Sequence, residues 1–123
     1  MSEKTGPRVL LVDDEEQFLD VLSQRLGTRG IDAETSTSGE EALVKIKNRN
    51  FDAIVLDVMM PGIGGIETLK RIRKEYPELQ IIMLTGQGTV GKAVEAMNEG
   101  AIDFMEKPAD INNMNLNYKH YYL

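Results

Sequence analysis

The sequence predicts an α/β fold built on a doubly wound parallel sheet, and three observations lead to that class. Short apolar runs of strand length alternate with longer stretches that have helical periodicity. Several of the runs are apolar without interruption, as in strands buried on both faces of a parallel sheet. Gly or Pro follows most of the helical stretches and would end them. Because parallel strands require crossover connections, we expect helices on both faces of one sheet.

The first two βα units differ in the character of their strands. Arg8–Val12 is an apolar strand, and the helix after it runs from Glu15 to about Thr28, where Gly30 favours a left-handed turn. Residues 31–36 alternate apolar and polar side chains, which indicates a strand at the edge of the sheet. The first strand is therefore expected to be buried and the second to be more exposed.

Residues that start or end helices define the later units. Ser38 and Glu41 match the Ser-x-x-Glu pattern of a capping box, which predicts the start of the second helix. The remaining elements are, in order, a strand at Asp52–Asp57, a helix that ends before Pro77, a strand at Gln80–Thr85, a helix that ends at Gly100 and a strand at Ile102–Glu106. A fifth helix capped by Asp110 is predicted over Ala109–Leu123, although this segment is rich in Asn and Tyr.

Composition excludes several classes of protein. The 123 residues, of which 41% are hydrophobic, suit one domain over residues 1–123. The chain has no cysteine, so it offers neither a disulfide framework nor a thiolate zinc site. A formal net charge of -6 argues against direct nucleic-acid binding by this domain. No apolar run resembles a signal peptide or a membrane span, and we expect a cytoplasmic protein without membrane contact.

Polar side chains that could bind an ion or take part in a reaction follow four of the predicted strands. Asp13 and Asp14 end the first strand, Asp57 the third, Thr85 the fourth and Lys107 the fifth. Ligands of open α/β sheets bind beyond the carboxyl ends of the strands, so these residues are expected to meet at one edge. Three clustered carboxylates would repel one another unless a divalent cation sat among them, and oxygen-only ligands favour Mg²⁺, with Mn²⁺ as a substitute.

Asp57 is the candidate nucleophile of this cluster. A carboxylate can attack phosphorus to give an aspartyl phosphate, with the metal and Lys107 neutralising charge and the Thr85 hydroxyl donating to a phosphoryl oxygen. Each residue alone has a simpler explanation, such as a helix cap for the acidic pair or a turn residue for Thr85. Capping does not explain why all of these types follow successive buried strands, so the joint pattern favours function.

Four motifs carry a resemblance to the receiver domains of bacterial two-component response regulators. They are Val12-Asp13-Asp14, Leu56-Asp57-x-x-Met60-Pro61 with Gly65, Leu84-Thr85-Gly86 and Lys107-Pro108, within a match from about Arg8 to Pro108. The resemblance implies a flavodoxin-like sheet with strand order 2-1-3-4-5. It also implies that Asp57 accepts a phosphoryl group from a histidine kinase.

The resemblance assigns the other site residues. Mg²⁺ would be held by Asp13, Asp14, Asp57 and the backbone carbonyl of Met59, with Asp14 rather than Asp13 as the direct ligand of the acidic pair. The remaining roles are a switch hydroxyl at Thr85, a switch aromatic at Phe104, a phosphate-pairing Lys107 and structural roles for Pro61, Gly65 and Pro108, the last after a candidate cis bond.

The resemblance also implies partners. The phosphodonor is a sensor histidine kinase, and phosphorylation would alter the surface of the fourth helix, fifth strand and fifth helix. That surface would control an output domain or effector protein that is absent from this chain, or homodimerisation, and transcription regulation is the suggested output. The unusual segment at residues 109–123 could be an altered fifth helix, a rearranged or exchanged segment, or an end introduced by cloning.

Three other functions fit parts of the sequence less well. A dehalogenase-like phosphatase also uses an aspartate nucleophile with Mg²⁺, but it has a second acid two residues later, where this chain has Met59. A receiver-like scaffold without phosphorylation would not need the complete set of site residues. Gly86-x-Gly88-x-x-Gly91 matches a dinucleotide fingerprint, but the next strand does not end in the acidic residue that holds the ribose. That loop is instead interpreted as a flexible segment near Asp57.

Overall fold

A computed structural model describes residues 6–86 and 90–107. Over these residues the chain alternates strands and helices, as the sequence predicts. In chain order the elements are β1 (Arg8–Val12), α1 (Glu16–Gly27), β2 (Asp32–Ser36), α2 (Gly39–Asn48), β3 (Ala53–Asp57), α3 (Gly64–Glu75), β4 (Gln80–Thr85), α4 (Val90–Asn98) and β5 (Asp103–Glu106). The fold class is therefore confirmed as α/β.

The five strands form one parallel sheet in the order β2-β1-β3-β4-β5, which confirms the order expected from the resemblance. The strand order reverses at β1, which has β2 on one side and β3 on the other. Val12 at the end of β1 pairs with Leu56, and Asp57 at the end of β3 pairs with Leu84. The carboxyl ends of the central strands thus reach the same level of the sheet, which is where ligands of such folds bind.

Helices cover both faces of the sheet. Helix α1 packs on one face, and α2, α3 and α4 pack on the other. The buried apolar side chains of the α1 face are Val9, Leu11, Leu19, Leu22, Leu26, Ile31, Ala53, Val55, Ile82, Leu84 and Met105. Neighbouring strand residues such as Leu10, Ile54 and Met83 belong to the opposite core, because successive side chains of a strand point to opposite faces.

The start of α2 differs in one detail from the predicted capping box. The Ser38 hydroxyl accepts a hydrogen bond from the Glu41 backbone N–H at 3.1 Å, as expected. The Glu41 carboxylate, however, accepts from the backbone N–H of Thr37 at 2.7 Å and not from that of Ser38. Half of the capping box prediction is therefore wrong. The long Glu41 side chain reaches past the cap to a backbone donor at the end of β2, which still receives a partner.

Other predicted features have mixed outcomes. Gly30 after α1 and Gly100 after α4 both have positive φ angles, +82° and +113°, as left-handed turns require. The predicted fifth helix at residues 109–123, Pro108 and most of the glycine-rich loop lie outside the described residues. Within residues 6–86 and 90–107, every helix is too short or too polar to cross a bilayer.

Candidate functional site

Asp57 lies at the end of β3 in the centre of the sheet, and only 4% of its surface is exposed. One of its carboxylate oxygens, Oδ1, accepts a hydrogen bond from the backbone N–H of Met59 at 3.3 Å. Sheet hydrogen bonding continues just past it, because the Val58 N–H donates to the Leu84 carbonyl at 2.9 Å. The backbone that follows β3 therefore positions the candidate nucleophile.

The acidic pair after β1 divides into a buried and an exposed carboxylate. Asp13 is completely buried, and its Oδ1 accepts from the backbone N–H of Glu15 at 2.9 Å, just before α1 begins. Asp14 is exposed. Asp13, Asp14 and Asp57 each bring one carboxylate oxygen to within 4.8 Å of the others. The structure thus assembles the three acids that the sequence placed at one edge.

Lys107 completes this cluster from the end of β5. Its ammonium Nζ lies 2.9 Å from Asp13 Oδ2 and 3.7 Å from Asp57 Oδ2. It also donates a hydrogen bond to Glu15 Oε1 and lies 5.1 Å from the centre of the Phe18 ring. The sequence interpretation missed both Glu15 and Phe18. Their three-residue spacing at the start of α1 was the available signal, because residues three apart share a helix face.

The local charges shift the pKa values of three groups. The pKa of Asp57 is raised to about 7, first by burial and then by the nearby charges of Asp13 and Asp14, against the opposing effects of Lys107 and the Met59 N–H. Burial also raises the pKa of Asp13, although its hydrogen bond to Lys107 opposes the shift. Burial disfavours the charge of Lys107, but the carboxylates of Glu15, Asp13 and Asp57 outweigh it and raise its pKa.

The residue types and their electrostatics suit a hard divalent cation. All three acids offer oxygen, the ligand that Mg²⁺ prefers, and the set has an excess of negative charge that Lys107 alone does not balance. Both oxygens of Asp13 already have partners, the Glu15 N–H and Lys107, whereas Asp14 is exposed. The donor set therefore fits the predicted Mg²⁺ ion.

Thr85 ends β4, and Phe104 lies in the neighbouring strand β5. Thr85 is fully buried, and its hydroxyl donates a long hydrogen bond of 3.4 Å to the Met105 carbonyl. Its own carbonyl accepts from the Lys107 N–H at 2.8 Å. Phe104 is half-buried and packs against the core on the α2, α3 and α4 face. The switching roles of both residues stay predictions.

The turn between β3 and α3 explains one motif glycine. A Cβ atom at Gly65 would lie 2.0 Å from the carbonyl oxygen of Asp57, so only glycine lets α3 start this close to the strand end. Met59 in the same turn is 51% exposed, whereas Met60 packs against the core. Pro61 is exposed, and its structural role stays a prediction.

A family model described as the response regulator receiver domain matches residues 9–119 of this sequence. The chain belongs to this family. It is 33% identical over 110 residues to the transcriptional regulatory protein TcrA of Mycobacterium tuberculosis, covering 89% of this chain and 44% of TcrA. It is 38% identical over 112 residues to the alkaline phosphatase synthesis transcriptional regulatory protein PhoP of Bacillus subtilis, covering 91% of this chain and 47% of PhoP. The chain spans less than half the length of each of these two regulators.

Solved receiver structures agree with the fold. The receiver domain of NtrX from Brucella abortus is 32% identical with a TM-score of 0.88, covering 93% of this chain and 97% of that domain. A CheY-like receiver domain protein from Methanospirillum hungatei is 30% identical with a TM-score of 0.89, covering 96% of this chain and 94% of that protein. The resemblance inferred from four motifs is therefore confirmed at the level of the family and the fold.

Proposed function

We propose that this receiver domain accepts a phosphoryl group on Asp57 from the phosphohistidine of a sensor histidine kinase. The observation that carries the proposal is the position of Asp57, buried at the sheet edge with Asp13, Asp14 and Lys107 around it. A carboxylate in such a place is costly to maintain for stability alone, because burial and like charges raise its pKa. It is well placed for chemistry in which charge is neutralised during phosphoryl transfer.

The residues of this site would have separate roles in the phosphoryl transfer. A carboxylate oxygen of Asp57 forms the new bond to phosphorus as the bond between phosphorus and the histidine nitrogen breaks. Lys107, 3.7 Å from Asp57, would pair with a phosphoryl oxygen, and the Thr85 hydroxyl would donate to another after leaving the Met105 carbonyl. Asp13, Asp14, Asp57 and the backbone carbonyl of Met59 would hold Mg²⁺. When bound, that ion supplies positive charge beside the phosphoryl oxygens.

The phosphorylated domain would act through its surface. Movement of Thr85 toward the phosphoryl group would open space for the Phe104 ring and alter the face formed by α4, β5 and the segment after Lys107. We propose that this face controls an output domain, an effector protein or homodimerisation in the cytoplasm. Transcription regulation is the output that the names of TcrA and PhoP support. In this proposal the domain is a switch rather than a turnover enzyme.

Intact mass after incubation with acetyl phosphate tests the proposal. With Mg²⁺ the protein should gain one phosphoryl group, about 80 Da, in a form that hydroxylamine removes. Asp57→Asn should gain nothing, whereas Asp20→Asn, which changes an exposed carboxylate on α1, should behave as the unmodified protein. No adduct in a folded protein would contradict phosphoacceptance and favour a scaffold. Sustained turnover of a small phosphate ester would instead favour a phosphatase.

A further inference from the structure

Lys107 is shared among more carboxylates than its predicted role requires. Its ammonium has three N–H donors, and two of them bind Asp13 and Glu15. Asp57 lies further away, at 3.7 Å, which is an ion pair rather than a hydrogen bond. A phosphoryl oxygen on Asp57 must therefore attract a lysine whose strongest contacts are to two other acids.

The two competing acids differ in how easily they can be displaced. The Asp13 side chain is fully buried, and its other oxygen is bound to the Glu15 backbone, so it has no room to move away. The Glu15 side chain is 63% exposed and lies outside the acidic cluster that suits a metal. Water can solvate Glu15 once it releases the lysine. Glu15 is therefore the partner that a phosphoryl group would replace.

Glu15 is not needed to hold Lys107 in place. The lysine side chain is only 12% exposed, it retains Asp13 at 2.9 Å, and it lies over the Phe18 ring. A cation above an aromatic face and a buried ion pair keep it directed at the site. Removing the Glu15 charge would thus free a donor without releasing the side chain.

We propose that Glu15 competes with the phosphoryl group for Lys107 and so weakens the phosphorylated state. This inference rests on the proposed phosphoacceptor function, because it concerns the same lysine. The negative charge of Glu15 acts in the same direction, since it repels the incoming phosphoryl oxygens. A receiver with this residue would give up its phosphoryl group more readily than one without the competing acid.

Calorimetric titration with beryllofluoride, an analogue of the phosphoryl group, tests the competition at saturating Mg²⁺. Glu15→Gln keeps the size of the side chain and removes its charge, and it should tighten beryllofluoride binding by about two- to fivefold, as expected for release of a largely exposed ion pair. Glu16→Gln is the matched control. Glu16 is the next residue and is also exposed, but it is not a partner of Lys107 among the described residues. The affinity of Glu16→Gln for beryllofluoride should therefore equal that of the unmodified protein.

The outcomes separate this inference from the proposed function. Tighter binding in Glu15→Gln alone supports the competition, and a variant that merely folded poorly would bind more weakly. Unchanged or weaker binding in Glu15→Gln, with normal binding by the unmodified protein, overturns the role of Glu15 only. Equal tightening in Glu16→Gln also overturns it, because general charge would then explain the effect. If the unmodified protein takes up neither beryllofluoride nor phosphoryl from acetyl phosphate, the proposed function itself fails.

Discussion

Replacing Asp57 by Asn should stabilise the metal-free domain at neutral and alkaline pH. The pKa of Asp57 is about 7 in the folded protein, compared with an ordinary value of 3.8. A carboxyl with a higher pKa in the folded state binds more protons when folded, so the free energy of unfolding falls as pH rises between these two values. Asparagine has nearly the same shape and carries no titrating charge, so it removes this loss.

The size of the effect follows from the shift. One pKa unit corresponds to about 1.4 kcal/mol, so the full shift of roughly three units amounts to at most about 4 kcal/mol above pH 7. The advantage of Asp57→Asn should therefore be near zero around pH 4 and should grow by about 3 kcal/mol between pH 5 and pH 8. Saturating Mg²⁺ should reduce the difference, because a cation that binds the folded unmodified protein stabilises it.

Urea unfolding in EDTA at several pH values measures this dependence. Each variant is compared with the unmodified protein at the same pH, so that titration of other groups largely cancels. Asp20→Asn is the control, since it removes an exposed carboxylate outside the site and should show no growing advantage. An advantage of Asp57→Asn that did not change with pH, or an unmodified protein that was more stable at pH 8, would refute the reasoning.

Three further predictions concern the scaffold around the site, each measured by urea unfolding. The free energy of unfolding of Gly65→Ala should be lower by at least about 2 kcal/mol, since the new Cβ would lie 2.0 Å from the Asp57 carbonyl oxygen. An unchanged urea midpoint would contradict this close approach. Arg73→Lys should lower the free energy of unfolding by about 2 kcal/mol. The guanidinium donates hydrogen bonds to three backbone carbonyls after α3 and to the Gly100 carbonyl, and a lysine ammonium cannot bind all four at once. Ser38→Ala should lose about 1 kcal/mol, and Ser38→Asn, another good cap, should lose less.

The periodicity of apolar residues and the residues that start or end helices were sufficient to predict most of the secondary-structure elements. The third strand was expected at Asp52–Asp57 and is observed at Ala53–Asp57, and the fourth has the expected bounds at Gln80–Thr85. These elements are predictable because strand burial and helix ends depend on neighbouring residues. The strand order needed the family resemblance, since an apolar pattern does not say which strand lies next to which.

Part of the site was equally accessible from the sequence. Parallel strands share one carboxyl edge, so Asp13, Asp14, Asp57, Thr85 and Lys107 had to approach one another once the strands were known. The error at the Glu41 cap has a different origin. A long side chain can reach several backbone donors of similar distance, and a sequence pattern does not distinguish among them.

The sequence alone determined the α/β class, the positions of the elements and the gathering of acids and a lysine at one sheet edge. Only the tertiary structure decided which of those groups touch. Lys107 meets Asp13 across 94 positions of the chain and Glu15 across 92, and it leaves Asp57 at the longer distance. The raised pKa of Asp57 and the close approach of Gly65 to the Asp57 carbonyl also result from tertiary packing. Burial, charge proximity and van der Waals contact are set by distances through space, and those distances exist only after the chain has packed.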